Sequence, residues 1–412
     1  MSDIQVSERR CETDTDMSEE NSDCAFLNIP VEIFLYICSF LDARFIANSL
    51  SLVCKHFHDV LSDESVWKSR IAKHHESEYP ALPVDNPDEF NWQEACAKIE
   101  DEHNRWKNKE KDMKRILLKD IHYASVDAVL LMKSGTLCFS GSRDHNLVAW
   151  DLQECKSSVD PNPKKVVENA HRGWIWKLED FDGKLFSCSW DATVKSWDIN
   201  CFEESCVFMC EQPALAIACS PSTMAVGLFN RRVMLFDPRA SDKKIAFYKA
   251  HTGAVLALTM VNGYIVSASE DRTILVWDQR ACKVFKRINF SDGNVGSNAY
   301  PMCLSYADNS IYVGDVRGRV HLMNPNKGEF TVVESYDVGH TGKMTGIHHT
   351  AGSVMTCSSD GTMRILAPTR KLEPITVLKS QGGEITNFDY KSNVLAMGST
   401  ENFVEVWMPK SE

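Results

Sequence analysis

The sequence lacks the apolar runs that mark membrane proteins and secreted precursors. No stretch reaches the roughly 20 consecutive apolar residues that a membrane helix requires, and the first residues contain no apolar core of a signal peptide. Basic residues are also in deficit, since 45 Lys and Arg against 57 Asp and Glu leave a net charge of −12. We therefore expect neither a membrane nor a nucleic acid as partner, because phosphate binding favours a basic surface.

The signatures of catalytic and metal sites are missing too. The 15 cysteines have no zinc-like spacing, no nucleophile elbow or Cys–His signature occurs, and the run 339–345 lacks the spacing of a phosphate-binding loop. Free cysteines in this number are typical of a reducing compartment, which predicts a cytoplasmic or nuclear protein. We expect a non-catalytic binding protein without a cofactor or metal ion.

What the sequence does contain is a β-hairpin repeated at a regular interval. The best copy predicts strands Leu185–Ser189 and Thr193–Trp197 around a turn held by Asp191, whose short carboxylate accepts backbone N–H bonds. The turn residue and the residue that ends the second strand lie six positions apart, and this gap occurs seven times. The second strands end at Trp150, Trp197, Phe236, Trp277, Met323, Leu366 and Trp407. These intervals of 39 to 47 residues resemble those of the WD40 repeat and predict an all-β, seven-bladed propeller over residues 114–412.

Two further expectations follow from the propeller. Residues 114–119 are predicted to supply an outer strand to the last blade, whose own strands end near Trp407, so that the two ends of the array close the ring. His171, His251 and His340 each precede an inner strand. The WD40 resemblance implies that these histidines bond toward the turn Asp and the blade Trp, which makes them structural rather than catalytic.

The chain before the propeller has a different composition. Residues 1–25 are acidic and almost without apolar side chains, which predicts a disordered tail. Residues 26–71 predict three short helices, and residues 72–113 predict a helical linker. Its helix, expected over 90–115, carries an apolar stripe at Trp92, Cys96, Ile99, His103 and Trp106. This helix is either a stiff connector or simply packed against its neighbours, and the sequence leaves both open.

Residues 26–71 resemble the F-box. The matching pieces are Ile29-Pro30, residues 39–42, residues 52–57 and residues 62–67, with Ile29 in place of the usual Leu. The resemblance implies a small all-α domain that docks on a Skp-type adaptor. It assigns to that contact, or to its support, the residues Pro30, Ile33, Ile37, Leu41, Val53, Cys54, Phe57 and Trp67. The alternative is a plain helical cap on the propeller.

The residue before each hairpin turn is expected to face one rim of the propeller, and the WD40 resemblance implies that this rim binds ligands. The candidate substrate-binding residues there are Arg143, Trp174, Trp190, Phe229, Arg231 and Glu270, with Met302 and Met344 expected at the rim ends of two inner strands. Aromatic and Arg side chains are frequent binding hot spots, and Arg grips carboxylates or phosphates. The sector predicts a protein substrate with an acidic or phosphorylated segment. For Trp174, packing within its own blade is an equal alternative.

The two halves together resemble the F-box/WD40 substrate receptors of SCF-type ubiquitin ligases. The resemblance implies a multidomain, non-catalytic protein whose F-box binds the Skp-type adaptor and the cullin scaffold, while the propeller captures a protein substrate for ubiquitination. Two alternatives remain. One is a WD40 scaffold that assembles complexes without ubiquitin transfer. The other is an enzyme with a site in the propeller channel, which the lack of acid, base, nucleophile and metal clusters disfavours.

Overall fold

The structure is a computed structural model, and it describes residues 29–75, 90–158, 161–239, 244–249, 251–290, 299–307, 309–325 and 329–410. The expected acidic tail, residues 1–25, lies outside these ranges. The chain divides after Val66 into two compact units, which are treated separately below. None of the helices within the described ranges is both long and apolar enough to cross a membrane.

Short helices build the N-terminal unit, as the sequence predicts. They are α1 Val31–Cys38, α2 Ala43–Asn48, a 3-10 turn Leu50–Leu52, and α3 Lys55–Leu61. The core is a stack of Phe34 on Phe57, with 4.3 Å between ring centroids, and both rings are buried. Cys54 caps α3, because its Sγ accepts the Phe57 backbone N–H at 3.4 Å. So small a core leaves many apolar side chains uncovered.

The linker region contains two helices rather than one. After α4 Glu64–His75, the chain forms α5 Trp92–Lys107, the single turn α6 Lys109–Asp112, and strand β1 Met113–Leu118. The expected single helix over 90–115 is therefore wrong. Asn108 leaves the helical region, with φ −104° and ψ 28°, and after the single turn α6 the residues from Met113 pair with the last strand of the propeller. At the other end, the Asn91 side chain accepts the Glu94 N–H at 3.0 Å and caps α5.

The propeller consists of seven four-stranded antiparallel sheets formed by the described residues. Blade 1 comprises β2 Val126–Met132, β3 Leu137–Ser142, β4 Leu147–Asp151 and β5 Lys165–Val167. Blade 2 comprises β6 Ile175–Phe181, β7 Lys184–Ser189, β8 Thr193–Asp198 and β9 Glu204–Met209. Blade 3 comprises β10 Ala214–Cys219, β11 Met224–Leu228, β12 Arg232–Phe236 and β13 Lys244–Lys249. A short helix, α7 Leu152–Ser157, lies between β4 and β5. Within each of these three blades the strands follow chain order from the inner to the outer edge.

The remaining blades repeat this order. Blade 4 comprises β14 Val255–Val261, β15 Tyr264–Ser269, β16 Thr273–Asp278 and β17 Lys283–Asn289, and blade 5 comprises β18 Pro301–Ala307, β19 Ser310–Asp315, β20 Arg319–Asn324 and β21 Thr331–Asp337. Blade 6 comprises β22 Met344–His349, β23 Val354–Ser358, β24 Thr362–Leu366 and β25 Pro374–Lys379. Blade 7 contains β26 Ile385–Lys391, β27 Val394–Ser399 and β28 Val404–Pro409. The seven-bladed propeller expected from the hairpin interval is confirmed.

The ring closes between the two ends of the array. β1 pairs antiparallel with β28, from Met113 opposite Pro409 to Leu118 opposite Val404. The last sheet therefore has the order β1-β28-β27-β26, and the expected closing strand is confirmed. The outer strand of the seventh blade is therefore supplied by β1, which comes before the repeats in the chain.

Helix α5 packs against blades 6 and 7. Trp106, the last residue of the predicted apolar stripe, is fully buried in a cluster with Met355 and Leu395. One turn earlier, the buried Glu102 carboxylate accepts hydrogen bonds from the hydroxyls of Thr350, at 3.0 and 3.1 Å, and Ser353. The helix is thus bound to the propeller by both apolar and polar contacts.

Glu102 gives a prediction about the pH dependence of stability. Burial raises the pKa of Glu102, although the bonds from Ser353 and Thr350 act to lower it. A raised pKa in the folded state means that the stability contribution is complete below the unfolded pKa of about 4.3 and declines as the pH rises through the folded value. We therefore expect Glu102→Gln, which keeps an acceptor and removes the charge, to melt at the same or a higher temperature than the wild type at pH 8.

Thermal unfolding of both proteins at pH 5 and pH 8 measures the effect. The difference between Glu102→Gln and the wild type is expected to shift in favour of the variant at the higher pH. Glu110→Gln, at an exposed position on α6, is the matched control and is expected to show no such shift. A variant that melts below the wild type at pH 8 by as much as at pH 5 contradicts the prediction.

Candidate functional site

The hairpin turns at one rim of the propeller are fixed by a buried hydrogen-bond network. In blade 2, His171 Nδ1 lies 3.0 Å from the Asp191 carboxylate, and His171 Nε2 lies 2.7 Å from Ser187 Oγ. The blade tryptophan, Trp197, donates its indole N–H to Ser187 Oγ at 2.8 Å. The implied role of His171 is confirmed, with Ser187 as the link between the imidazole and the indole.

The His–Asp pair recurs in three other blades of the described chain. His251 and His340 each bond an Asp 20 residues later, Asp271 and Asp360, at 3.1 Å. His122 bonds Asp144, 22 residues later, at 2.9 Å. His122 could not be predicted in this role from its spacing, because its longer loop breaks the 20-residue interval that the other histidines share. The imidazole rings of all four histidines are buried, and both nitrogens of each ring are hydrogen-bonded. These histidines are therefore structural rather than catalytic.

The network holds its carboxylates in the charged form. Burial acts to raise the pKa of Asp360, but hydrogen bonds from Thr362, Thr341 and His340 outweigh it and lower the pKa to about 2. The same balance lowers the pKa of Asp191 and of Asp271. Each charged turn residue in turn orders the backbone beside it, because Asp191 accepts the N–H groups of Arg172 and Thr193 at 2.9 and 3.0 Å.

One backbone hydrogen bond per blade defines the rim. In every blade, the residue before the turn residue donates its backbone N–H to a carbonyl oxygen at the start of the blade. The acceptor is the residue that directly precedes the inner strand. The pairs are Arg143–Ser125, Trp190–Trp174, Phe229–Pro213, Glu270–Ala254, Val316–Tyr300, Ser359–Lys343 and Thr400–Glu384, at 2.9 to 3.2 Å. The expected rim positions before the turns are therefore equivalent in all seven blades.

The prediction that Met302 and Met344 lie at the rim ends of their inner strands is wrong. Tyr300 and Lys343 occupy the rim in blades 5 and 6, whereas Met344 is fully buried and Met302 lines the central channel. Met344 begins its strand one position after the rim, and at Met302 the reason is a β-bulge. Each inner strand has a register shift across its second residue, as between Pro301 and Cys303, so simple alternation of side chains fails there.

The bulged residues turn toward the channel mouth. They are Asp127, Trp176, Leu215, Leu256, Met302, Thr345 and Thr386. All seven line a cavity of 240 Å³ at the propeller axis, together with charged side chains such as Lys177 and Glu384. Within the described ranges no group of three or more His, Cys, Asp or Glu side chains is placed to hold a metal ion.

Four aromatic rings form a continuous surface at the rim of blades 2 and 3. We call Trp174, Trp176, Trp190 and Phe229 the aromatic patch. The Trp190 ring centroid lies 5.9 Å from that of Trp174, 6.0 Å from that of Trp176 and 5.5 Å from that of Phe229. Trp174, Trp190 and Phe229 are 38 to 50% exposed. The structure thus brings the predicted aromatic residues together and adds Trp176, which sequence alternation would have turned away from them.

Arg143 joins the aromatic patch, but its charge is already matched. Its guanidinium lies 4.8 Å from the Trp174 ring centroid. The same group donates to both carboxylate oxygens of Asp127, at 2.6 and 3.2 Å. Asp127 is itself one of the bulged residues, so sequence spacing gave no sign that it would reach Arg143. The expected free cation at this position is therefore absent from the described structure.

The last two candidate rim residues lie beyond the patch. Arg231 is exposed on the turn that follows Phe229, with φ +75°. Glu270 is exposed at the equivalent position of the next blade. Glu270 lies close enough to Tyr300 to add to the effect of burial, and both raise the pKa of the phenol. These two residues place charges of opposite sign at the edge of the patch.

The candidate adaptor-binding residues differ in exposure. Pro30, Ile33 and Val53 are exposed, Ile37, Leu41 and Cys54 are half-buried, and Phe57 and Trp67 are buried. Phe57 and Trp67 therefore suit the support of a surface rather than direct contact. Three larger exposed apolar side chains were not singled out, namely Tyr36, Phe40 and Leu52, with Phe40 72% and Leu52 76% exposed. Phe40 fits the helical spacing of the core residues, which hid its exposure.

Comparison with known proteins agrees with this arrangement. Residues 26–72 match the F-box-like family model, and residues 163–198 and 242–278 match the model for the WD domain, G-beta repeat. F-box/WD repeat-containing protein 9 of Bos taurus is 33% identical over 388 residues, which cover 92% of this chain and 82% of that protein. The Homo sapiens protein of the same name is 32% identical over 391 residues, covering 94% and 83%.

A third relative spans almost the same length. F-box/WD repeat-containing protein mec-15 of Caenorhabditis elegans is 27% identical over 405 residues, which cover 93% of this chain and 96% of that protein. The F-box and WD40 resemblances found in the sequence are thereby confirmed, and the chain belongs to the family of F-box/WD repeat proteins that includes F-box/WD repeat-containing protein 9.

Proposed function

We propose that this F-box protein is the substrate-recognition subunit of an SCF-type ubiquitin ligase. The observation that carries the proposal is the exposed apolar surface of the F-box-like segment, where Phe40, Leu52 and Val53 are each more than 60% exposed. Large exposed apolar patches on a soluble unit mark interaction sites, and this one suits a Skp-type adaptor that in turn binds a cullin scaffold. The chain itself performs no chemistry in this scheme.

The propeller captures the substrate in the proposed mechanism. The rim offers aromatic side chains, which dominate binding hot spots, and a channel mouth that admits side chains. Holding the substrate near a ubiquitin-charged conjugating enzyme raises the effective concentration of its lysines. No disulfide joins the cysteines that the structure describes, which fits the reducing cytoplasm or nucleus in which we place the complex.

Purification of the tagged full chain tests the proposal. We expect a Skp-type adaptor and a cullin to co-purify in near-stoichiometric amount, and the isolated complex to transfer ubiquitin to a co-purified protein when activating and conjugating enzymes are added. Recovery of propeller partners without adaptor or cullin would instead support a scaffold that assembles complexes without ubiquitin transfer.

A double variant separates substrate capture from adaptor binding. We expect Trp190→Ala with Arg143→Ala to reduce the recovery of ubiquitinated partners at least about fivefold, since aromatic and Arg anchors commonly contribute more than about 1 kcal/mol each. Adaptor recovery from the same lysate is expected to stay unchanged. Met209→Ala, at an exposed apolar position on the outer strand β9, is the matched control. Unchanged partner recovery by the double variant rules out this site.

A further inference from the structure

We propose that the aromatic patch recognises an extended peptide through a bulky apolar side chain, with any acidic residue of the peptide acting only at the edge. This inference rests on the proposed function, in which the rim captures the substrate, and it specifies the chemical class that the rim selects. The occupant is an unphosphorylated segment anchored by Leu, Ile, Met, Phe or Trp.

The first argument is the charge at the centre of the patch. Arg143 lies 4.8 Å from the Trp174 ring centroid, and both carboxylate oxygens of Asp127 already accept its N–H groups. A carboxylate or phosphate of a ligand would meet a guanidinium whose charge Asp127 already balances, and only its remaining N–H groups would be open to the ligand. A neutral apolar anchor does not depend on an uncompensated cation, so it matches the balanced charge at this side of the patch.

The second argument is the packing of the rings. The centroid separations from Trp190 to its three aromatic neighbours, 5.5 to 6.0 Å, are those of rings in mutual contact. No gap remains between them for an ammonium or methylammonium group, which an aromatic cage encloses on several sides. The patch therefore offers ring faces and edges for an apolar side chain to lie on, rather than a cage for a cation.

The third argument is the continuity of the patch with the channel. Trp176 belongs to the patch and also lines the 240 Å³ cavity at the axis. That volume is close to the lower end of the range for small-ligand pockets, and its lining includes Leu256, Met302 and Phe388. An anchor lying on Trp190 can thus extend past Trp176 into a partly apolar recess.

Two exposed charges lie at the edge of the aromatic patch. Arg231 follows Phe229 on the exposed turn, and Glu270 occupies the next blade. Exposed rim charges change association rates and salt dependence more than affinity. An acidic residue beside the anchor therefore meets Arg231 during association, while the anchor on Trp190 and Phe229 determines how long the peptide stays bound.

Selection of peptides from a random phage-displayed library on the full chain tests the proposal. We expect the enriched peptides to share one bulky apolar position, whose replacement by Ala weakens binding at least about tenfold. Trp190→Ala is expected to weaken the best peptide to the same extent through faster dissociation. Arg231→Ala is expected to weaken it less than about threefold and to reduce its salt dependence.

Three outcomes overturn the proposal. They are enrichment of acidic peptides without an apolar anchor, enrichment of peptides that share a Lys or Arg anchor, and no enrichment over Trp190→Ala. Trp190→Phe, which keeps an aromatic ring, is expected to retain most of the binding, and a wild-type melting temperature shows that the propeller of Trp190→Ala is folded. The two proposals can fail separately. Enrichment of apolar peptides by a chain that binds neither adaptor nor cullin contradicts only the ubiquitin ligase assignment. Ubiquitin transfer by a chain that enriches only acidic peptides contradicts only the proposed apolar anchor.

A gain of binding provides an independent test. Asp127→Asn keeps the shape of the side chain but removes the charge that holds Arg143, so the guanidinium becomes available to a ligand. We expect the best peptide with its anchor changed to Glu to bind Asp127→Asn at least about fivefold more tightly than it binds the wild type. Equal binding of the Glu peptide to both proteins shows that Asp127 does not shield Arg143 and contradicts the charge argument.

Discussion

Leu52→Asp is expected to lower the affinity of the chain for a Skp-type adaptor at least about a hundredfold. Leu52 ends the 3-10 turn and is 76% exposed, so the substitution leaves the core of Phe34 and Phe57 intact. In a complex, the new carboxylate would be buried against an apolar partner without a counter-charge, and an unpaired buried charge costs several kcal/mol. Titration of the purified adaptor against the wild type and the variant by calorimetry measures the loss.

Met209→Asp is the matched control for this experiment. Met209 is also an exposed apolar residue, 63% exposed, but it lies on outer strand β9 of the propeller. The control is expected to bind the adaptor like the wild type and, like Leu52→Asp, to retain the wild-type melting temperature. Wild-type affinity in Leu52→Asp would place the adaptor contact elsewhere and weaken the proposal that the exposed F-box surface is the docking site.

Asp191→Ala is expected to reduce the free energy of unfolding by about 3 kcal/mol at pH 7. The carboxylate is bonded by His171 and by the Thr193 hydroxyl, and it also accepts two backbone N–H groups of the rim. Removing one partner of a buried charged network leaves the others unsatisfied, which typically costs 3 kcal/mol or more. Urea denaturation followed by tryptophan fluorescence measures the change, and Asp182→Asn, at an exposed turn position, is the control.

The same network predicts how stability responds to acid. The pKa of Asp191 is lowered in the folded state, because bonds from His171 and Thr193 outweigh burial. A lowered pKa contributes stability that is complete above the unfolded value of about 3.9 and is lost as the pH falls below it toward the folded value. We expect the stability difference between wild type and Asp191→Asn to be largest near neutral pH and to shrink below about pH 4. A difference that stays constant from pH 7 to pH 3 contradicts this origin.

The framework of this protein was predictable because it rests on local sequence. The interval from Asp191 to Trp197 is set by one hairpin, and the same short-range geometry repeats in each blade, so counting residues located all seven. The chain's closing strand was found by the same logic, since the blade that ends at Trp407 lacks an outer partner.

The side chains that give the rim its character were harder to predict, because they depend on contacts between segments. Asp127 meets Arg143 across a bulge, and Trp176 joins Trp190 for the same reason. A bulge adds one residue to a strand and changes which face the following side chains occupy, and nothing in the composition of these strands marks it. The expected helix over 90–115 stops short for a comparable reason, because the residues from Met113 pair with β28 instead.

The ring of bulged residues separates the positions that line the channel from those that hold the blades together. A bulged residue stands outside the regular ladder of its strand, and here its side chain faces a cavity rather than a core. Exchanges at positions such as Leu256 and Met302, which are half-buried, therefore alter the lining of the channel mouth while leaving strand pairing and the His–Asp network untouched. In evolutionary terms the propeller can acquire a new ligand at these positions with little loss of stability, so members of one family can keep a common scaffold and diverge in what they bind.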